Sequence, residues 1–108
     1  MNYEPLSEIE VELWGYRAIL QNPVPFVDRY SYWICPDPGV KAALDLETMR
    51  AFEEGQCVSS TTGFPDWATT VGRVVAQRIG AKIVREKLFN VEEYLQRYPP
   101  LPKDDALA

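Results

Sequence analysis

Between Phe64 and Tyr98 the sequence marks where two helices begin and end, and this constrains the rest of the chain more than any other stretch. Pro65 and Asp66 suit a first turn, because proline lacks an N–H that would have no intrahelical partner there and a carboxylate accepts from the free ones. Trp67, Val71, Val74, Val75 and Ile79 then recur at helical spacing and give one apolar face. Gly72 costs about 1 kcal/mol against alanine inside such a helix. Gly80 follows the last periodic residue, where a left-handed terminator belongs. Asn90 and Glu93 form a capping box for the second helix, and Phe89 with Tyr94 forms a hydrophobic staple. Val91, Tyr94, Leu95 and Tyr98 are its expected buried stripe, and Pro99-Pro100 ends it.

The N-terminal segment carries two patterns at once. Ser7 with Glu10 reads as a capping box and Leu6 with Val11 as its staple, ahead of a helical face formed by Ile9, Leu13, Tyr16 and Leu20. Yet Glu8-Ile9-Glu10-Val11-Glu12-Leu13 alternates as a half-buried strand does. Cap, staple and face agree over the longer window, so helix is the expectation. Gly15 interrupts both patterns, and Asn22-Pro23 ends either one. Tyr30 to Cys35 is rich in aromatics and reads as a strand. Pro36-Asp37-Pro38-Gly39 reads as a turn, and Asp45 as the cap of a helix carrying Leu46, Met49 and Phe52 that stops at Gly55. These pieces predict a small single α+β domain over residues 1–98, with three to four helices and a few short strands; a mostly α fold is the fallback. Residues 99–108 read as a proline-rich tail.

Composition excludes several classes of function. With 46% hydrophobic residues the 108-residue chain can build a core. It has no apolar run near the roughly 20 residues of a membrane helix and no leader pattern, so a cytoplasmic location is expected. The absence of histidine removes the commonest general base and zinc ligand. Cys35 and Cys57 make neither a metal motif nor a CxxC pair and read as thiols without a disulfide. No cofactor or metal is expected, and no enzyme activity.

Charge is uneven. Residues 1–57 hold ten acids and four bases, whereas Arg73, Arg78, Lys82, Arg85 and Lys87 are accompanied only by Glu86. Such clusters are more often solvated faces than binding sites, but this one sits beside a motif. A helix ending Ala76-x-x-x-Gly80, with Val75, Ile79 and Ala81 apolar around it, resembles the helix-turn signature of DNA-binding helix pairs. The resemblance covers about a fifth of the chain and implies a degenerate helix-turn-helix around residues 67–89, with the basic residues on phosphates. Glu86 departs from it, standing where the pattern buries a branched apolar residue, and Ala81 to Phe89 reads equally as a strand through Ile83 and Val84.

Three further features have functional readings. Tyr30, Tyr32 and Trp33 are aromatics of the kind that anchor protein interfaces as well as fill cores. Ser59 to Gly63 could cradle an anion, although Asp66 opposes it. Glu8, Glu10 and Glu12 share one face if they lie on a strand, where they would form a solvated edge or bind a cation or a basic partner. The expected function is a small non-catalytic protein-binding domain, adaptor or regulator, with Tyr30, Tyr32 and Trp33 as anchors. The alternative is a nucleic-acid-binding domain using Arg73, Arg78, Lys82, Arg85 and Lys87. The partner is another protein, and so many aromatics in a short chain leave room for a homodimer.

Overall fold

A computed structural model describes residues 4–22, 33–58 and 67–100. The elements run β1 (Ser7–Leu13), β2 (Tyr16–Asn22), α1 (Pro38–Glu53), α2 (Ala68–Ile79), β3 (Lys82–Lys87) and α3 (Val91–Arg97). Among the described residues, three helices and a three-stranded antiparallel sheet make the α+β domain expected from the sequence. Sheet order is β2-β1-β3, so the alternating acidic segment is the central strand.

The helix expected from Ser7 to Leu20 is instead the β1–β2 hairpin. Period-2 alternation outweighs the capping box here, because only a strand puts Ser7, Ile9, Val11 and Leu13 together in the core. Leu13 pairs with Tyr16, leaving Trp14-Gly15 as a two-residue loop. Both loop residues have positive φ, 53° and 84°, as a type I′ turn requires. Ser7 does cap a helix, but not its own. Its Oγ accepts from the Thr69 N–H at 3.0 Å and lies 3.1 Å from Thr69 Oγ1, serving the first turn of α2, where Trp67 supplies no side-chain cap.

The helix α1 starts earlier than Asp45. Asp37 is its N-cap, accepting from the Val40 N–H at 3.0 Å, and Pro38 occupies the first turn, where its missing N–H costs nothing. The Pro36–Gly39 segment is therefore a cap rather than a free turn. Val40, Leu44 and Ala51 are its buried residues; of the three apolar residues named from the sequence, Phe52 packs against the core, whereas Leu46 and Met49 are exposed.

Two boundaries agree with the sequence. Gly80 adopts φ 80° at the end of α2 and donates to the Ala76 carbonyl. Asn90 accepts from the Glu93 N–H at 3.1 Å, with Phe89 and Tyr94 in edge contact at 5.7 Å. The interior of α3 differs: none of its residues is buried, and Val91 is 59% exposed. Tyr94 instead joins Trp67, Phe89 and Tyr98 in a half-buried aromatic cluster, with Trp67 and Phe89 stacked at 3.9 Å.

The helix α2 lies on one face of the sheet, mainly over β1, and α1 packs against α2. Gly72 permits this approach, since a Cβ there would stand 2.2 Å from Ile9 Cγ2. Ile9, Val11, Leu20, Val71 and Val75 form the sheet–helix layer, and Val40, Leu44 and Ala51 extend the core into α1. After Gly80 the chain enters β3, not a recognition helix. Lys82, Arg85 and Lys87 stand opposite Glu12, Glu10 and Glu8 of β1, so cross-strand charge pairing selects a strand where a helix would have had to bury Glu86.

Candidate functional site

Of the three aromatic anchors read from sequence, Tyr30 and Tyr32 lie outside the described residues, as do Ser59 to Gly63. Trp33 is placed and is wholly buried. Its Nε1–H donates to Thr48 Oγ1 at 2.8 Å, and that hydroxyl donates to the Leu44 carbonyl at 2.7 Å. An indole with its N–H satisfied inside the core has no surface to offer a partner, which removes Trp33 from the interface expected of it.

The five basic residues do not form one free patch. Arg73 makes a bidentate pair with Glu86, both bonds 2.7 Å. That pair raises the arginine pKa and holds the Glu86 carboxyl below its usual range. Arg78 bridges Glu47 and Glu54 at 3.0 and 2.9 Å and donates to Gln56 at 2.6 Å, fastening α2 to the end of α1. Hydrogen bonding from Arg78 lowers the Glu54 pKa in turn. Arg85 spans Glu8 and Glu10, with Glu8 its principal partner in raising the guanidinium pKa. Lys87 donates to the Pro5 carbonyl and to Glu93 at 3.3 Å. Lys82 stands apart, with no carboxylate partner among the described residues.

The acidic row is placed as its strand reading predicts. Glu8, Glu10 and Glu12 alternate with the core residues of β1 and so point away from α2. Besides Arg85, Gln21 donates to Glu8 at 2.8 Å, and Arg17 pairs with Glu10 at 3.4 Å. Glu8 and Glu10 thus sit in a cross-strand ionic network on the outer face of the central strand, not on a solvated edge. Among the described residues no group of three or more acidic or cysteine side chains is arranged to hold a metal ion. Cys57 is buried and Cys35 half-buried, both as thiols.

A different aromatic reaches the surface. Trp14, in the hairpin loop, is 66% exposed, and Tyr16 beside it is 45% exposed. A bulky side chain at positive φ is an outlier, because its Cβ crowds the backbone there. Reading residues 7–13 as a helix concealed Trp14. The signal that would have revealed it is an x-Gly dipeptide between two alternating segments. A second apolar group, Leu88, Val91 and Leu95, is exposed where β3 leads into α3.

Compared with known proteins, the chain matches no family model, no curated protein and no solved structure. No helix among the described residues is long and apolar enough to cross a membrane.

Proposed function

We propose that this chain is a small non-catalytic protein-binding domain and that the tip of the β1–β2 hairpin is its principal anchor. The observation that carries this reading is Trp14, a largely exposed indole held at φ 53°. A type I′ loop is best served by asparagine followed by glycine. Tryptophan in its place costs about 1–2 kcal/mol of backbone strain. It also leaves apolar area in water whose burial by a partner would contribute roughly 2–4 kcal/mol. Folding gains nothing from either, whereas a partner with an apolar pocket gains from burying the indole. The nucleic-acid reading uses Arg73, Arg78, Lys82, Arg85 and Lys87, and four of these already hold carboxylates, which supports the protein reading over it.

The test uses Trp14→Asn, because asparagine removes the indole while suiting positive φ. Tagged wild type and variant would be exposed to nuclease-treated extract of the source cells. The expected result is a stoichiometric protein held by the wild type and lost by a variant that is still folded. Equal capture by the variant would remove Trp14 from the interface. A catch that disappears with nuclease, together with retention on nucleic acid that falls steeply with salt, would favour the nucleic-acid alternative.

A further inference from the structure

We infer that the free edge of β3 accepts an extended acidic segment of a partner protein, which adds to the sheet as a strand beside Lys82–Lys87. This inference rests on the protein-binding reading and names a second contact for it. Only one side of β3 is paired, with β1; no strand lies on its other side among the described residues. Lys82, Ile83, Val84 and Arg85 are all exposed. An open row of backbone donors and acceptors is what strand addition uses.

The chemistry of the occupant follows from the sheet's own register. On its paired side, β3 selects a strand with acids at alternate positions: Glu8 opposite Lys87, Glu10 opposite Arg85 and Glu12 opposite Lys82, with Val11 opposite Ile83. The same side chains border the free side. Glu86, the one acid of β3, is turned to Arg73 on α2 and is neutralised there. Lys82 has no carboxylate partner among the described residues, and the Arg85 side chain remains 48% exposed beyond its ion pairs. An acidic segment therefore finds a cation without a carboxylate partner at Lys82, a half-exposed guanidinium at Arg85 and apolar neighbours at Ile83 and Val84, while Lys87 is already engaged by the Pro5 carbonyl and Glu93.

The same features reject other occupants. The β3 strand of a second copy would bring the same three cations against these, and like charges facing across strands are unfavourable. The register shift between β1 and β3 near Val11, together with the basic side chains, deters uncharged strands. What protects the edge from indiscriminate pairing thus leaves it open to an acidic strand.

The probe is a synthetic peptide with the sequence of residues 6–13, which already satisfies this register on the opposite side of β3. It would be titrated into the isotope-labelled full chain and followed by amide NMR. Expected are saturable shifts at residues 82–87, slowed hydrogen exchange along β3, and unchanged amides in β2. Lys82→Glu should weaken the affinity about fivefold, and so should replacing the three peptide glutamates with lysine. No shift at β3, or equal binding of the lysine peptide, would overturn the inference. So would loss of the native β1 pattern, which would show strand exchange rather than addition. If the peptide fails while the wild type still captures a Trp14-dependent protein, the edge assignment falls and the protein-binding reading stands. A peptide that adds to β3, in a chain that captures no protein at all, supports the edge and counts against that reading.

Discussion

Gly72 and Ser7 each join α2 to β1 through a single atom or its absence. Intrinsic propensity predicts that Gly72→Ala stabilises α2 by about 1 kcal/mol. The packing predicts the opposite, because the new methyl would overlap Ile9 Cγ2, a branched side chain fixed in the core. We expect Gly72→Ala to lower stability by about 1–3 kcal/mol in chemical denaturation, the usual cost of overpacking. Ile9→Ala should recover part of that loss in the double variant, so the two substitutions will be non-additive. Ser7→Ala should cost about 1–2 kcal/mol, since it leaves the buried Thr69 N–H without its acceptor. Neither role was legible in the sequence. Gly72 reads there only as a weak helix position. The capping chemistry of Ser7 is visible, but the helix it serves lies 62 residues away. A sequence pattern reports what a side chain can do locally and is silent about which distant backbone it will meet.

At the scale of elements, helix ends were legible wherever the signal and its consequence are adjacent, as with Gly80 and with Asn90 and Glu93. Segments 7–20 and 81–89 were not, because both carry strand and helix patterns and the choice is made between them rather than within either. Each strand supplies charges opposite the other's: Glu8, Glu10 and Glu12 stand across from Lys87, Arg85 and Lys82 in register, and Arg85 bonds both Glu8 and Glu10. A segment read alone shows only half of that pairing. The same reason hid the state of the basic cluster, most of whose acidic partners come from β1, from α1 and its C-cap, and from α3. The link between α2 and β3 gives a prediction of sign as well as place. Hydrogen bonding from Arg73 depresses the Glu86 pKa in the folded chain. The pair therefore contributes its stability above the ordinary carboxylate range and loses it as pH falls through the depressed value. Following the Glu86 carboxyl carbon by NMR, we expect its midpoint below that of a free glutamate, and a return toward the ordinary range in Arg73→Gln. An unchanged midpoint in that variant would show that the carboxylate is held by something other than Arg73.

Across the whole molecule, cohesion is unequal, and the inequality can be measured. The sheet, α2 and α1 share one buried core, and Arg78 ties the two helices together at their surface. By contrast, α3 has seven residues and none of them is buried. A helix so short is marginal by itself, because nucleation costs more than a few backbone bonds return. What holds it is the edge-on contact of Tyr94 with Trp67 and Phe89, the contact of Tyr98 with Tyr94, and the pairing of Glu93 with Lys87 and Arg97. Such partly exposed ion pairs contribute about 0–1 kcal/mol each. The aromatic contacts contribute about 0.5–1.5 kcal/mol each beyond their burial. Together they reach at most the low end of the free energy of unfolding a typical domain, about 5–15 kcal/mol. Native-state hydrogen exchange should therefore show the amides of α3 opening at lower free energy than those of β1 and α2, as a separate unit. Tyr94→Ala should speed exchange in α3 and leave the protection of β1 unchanged, because Tyr94 touches α3's supports and not the sheet core. If α3 instead exchanged only with the global transition, the aromatic cluster would be part of the cooperative core, and its half-buried rings would be worth more than their exposure implies.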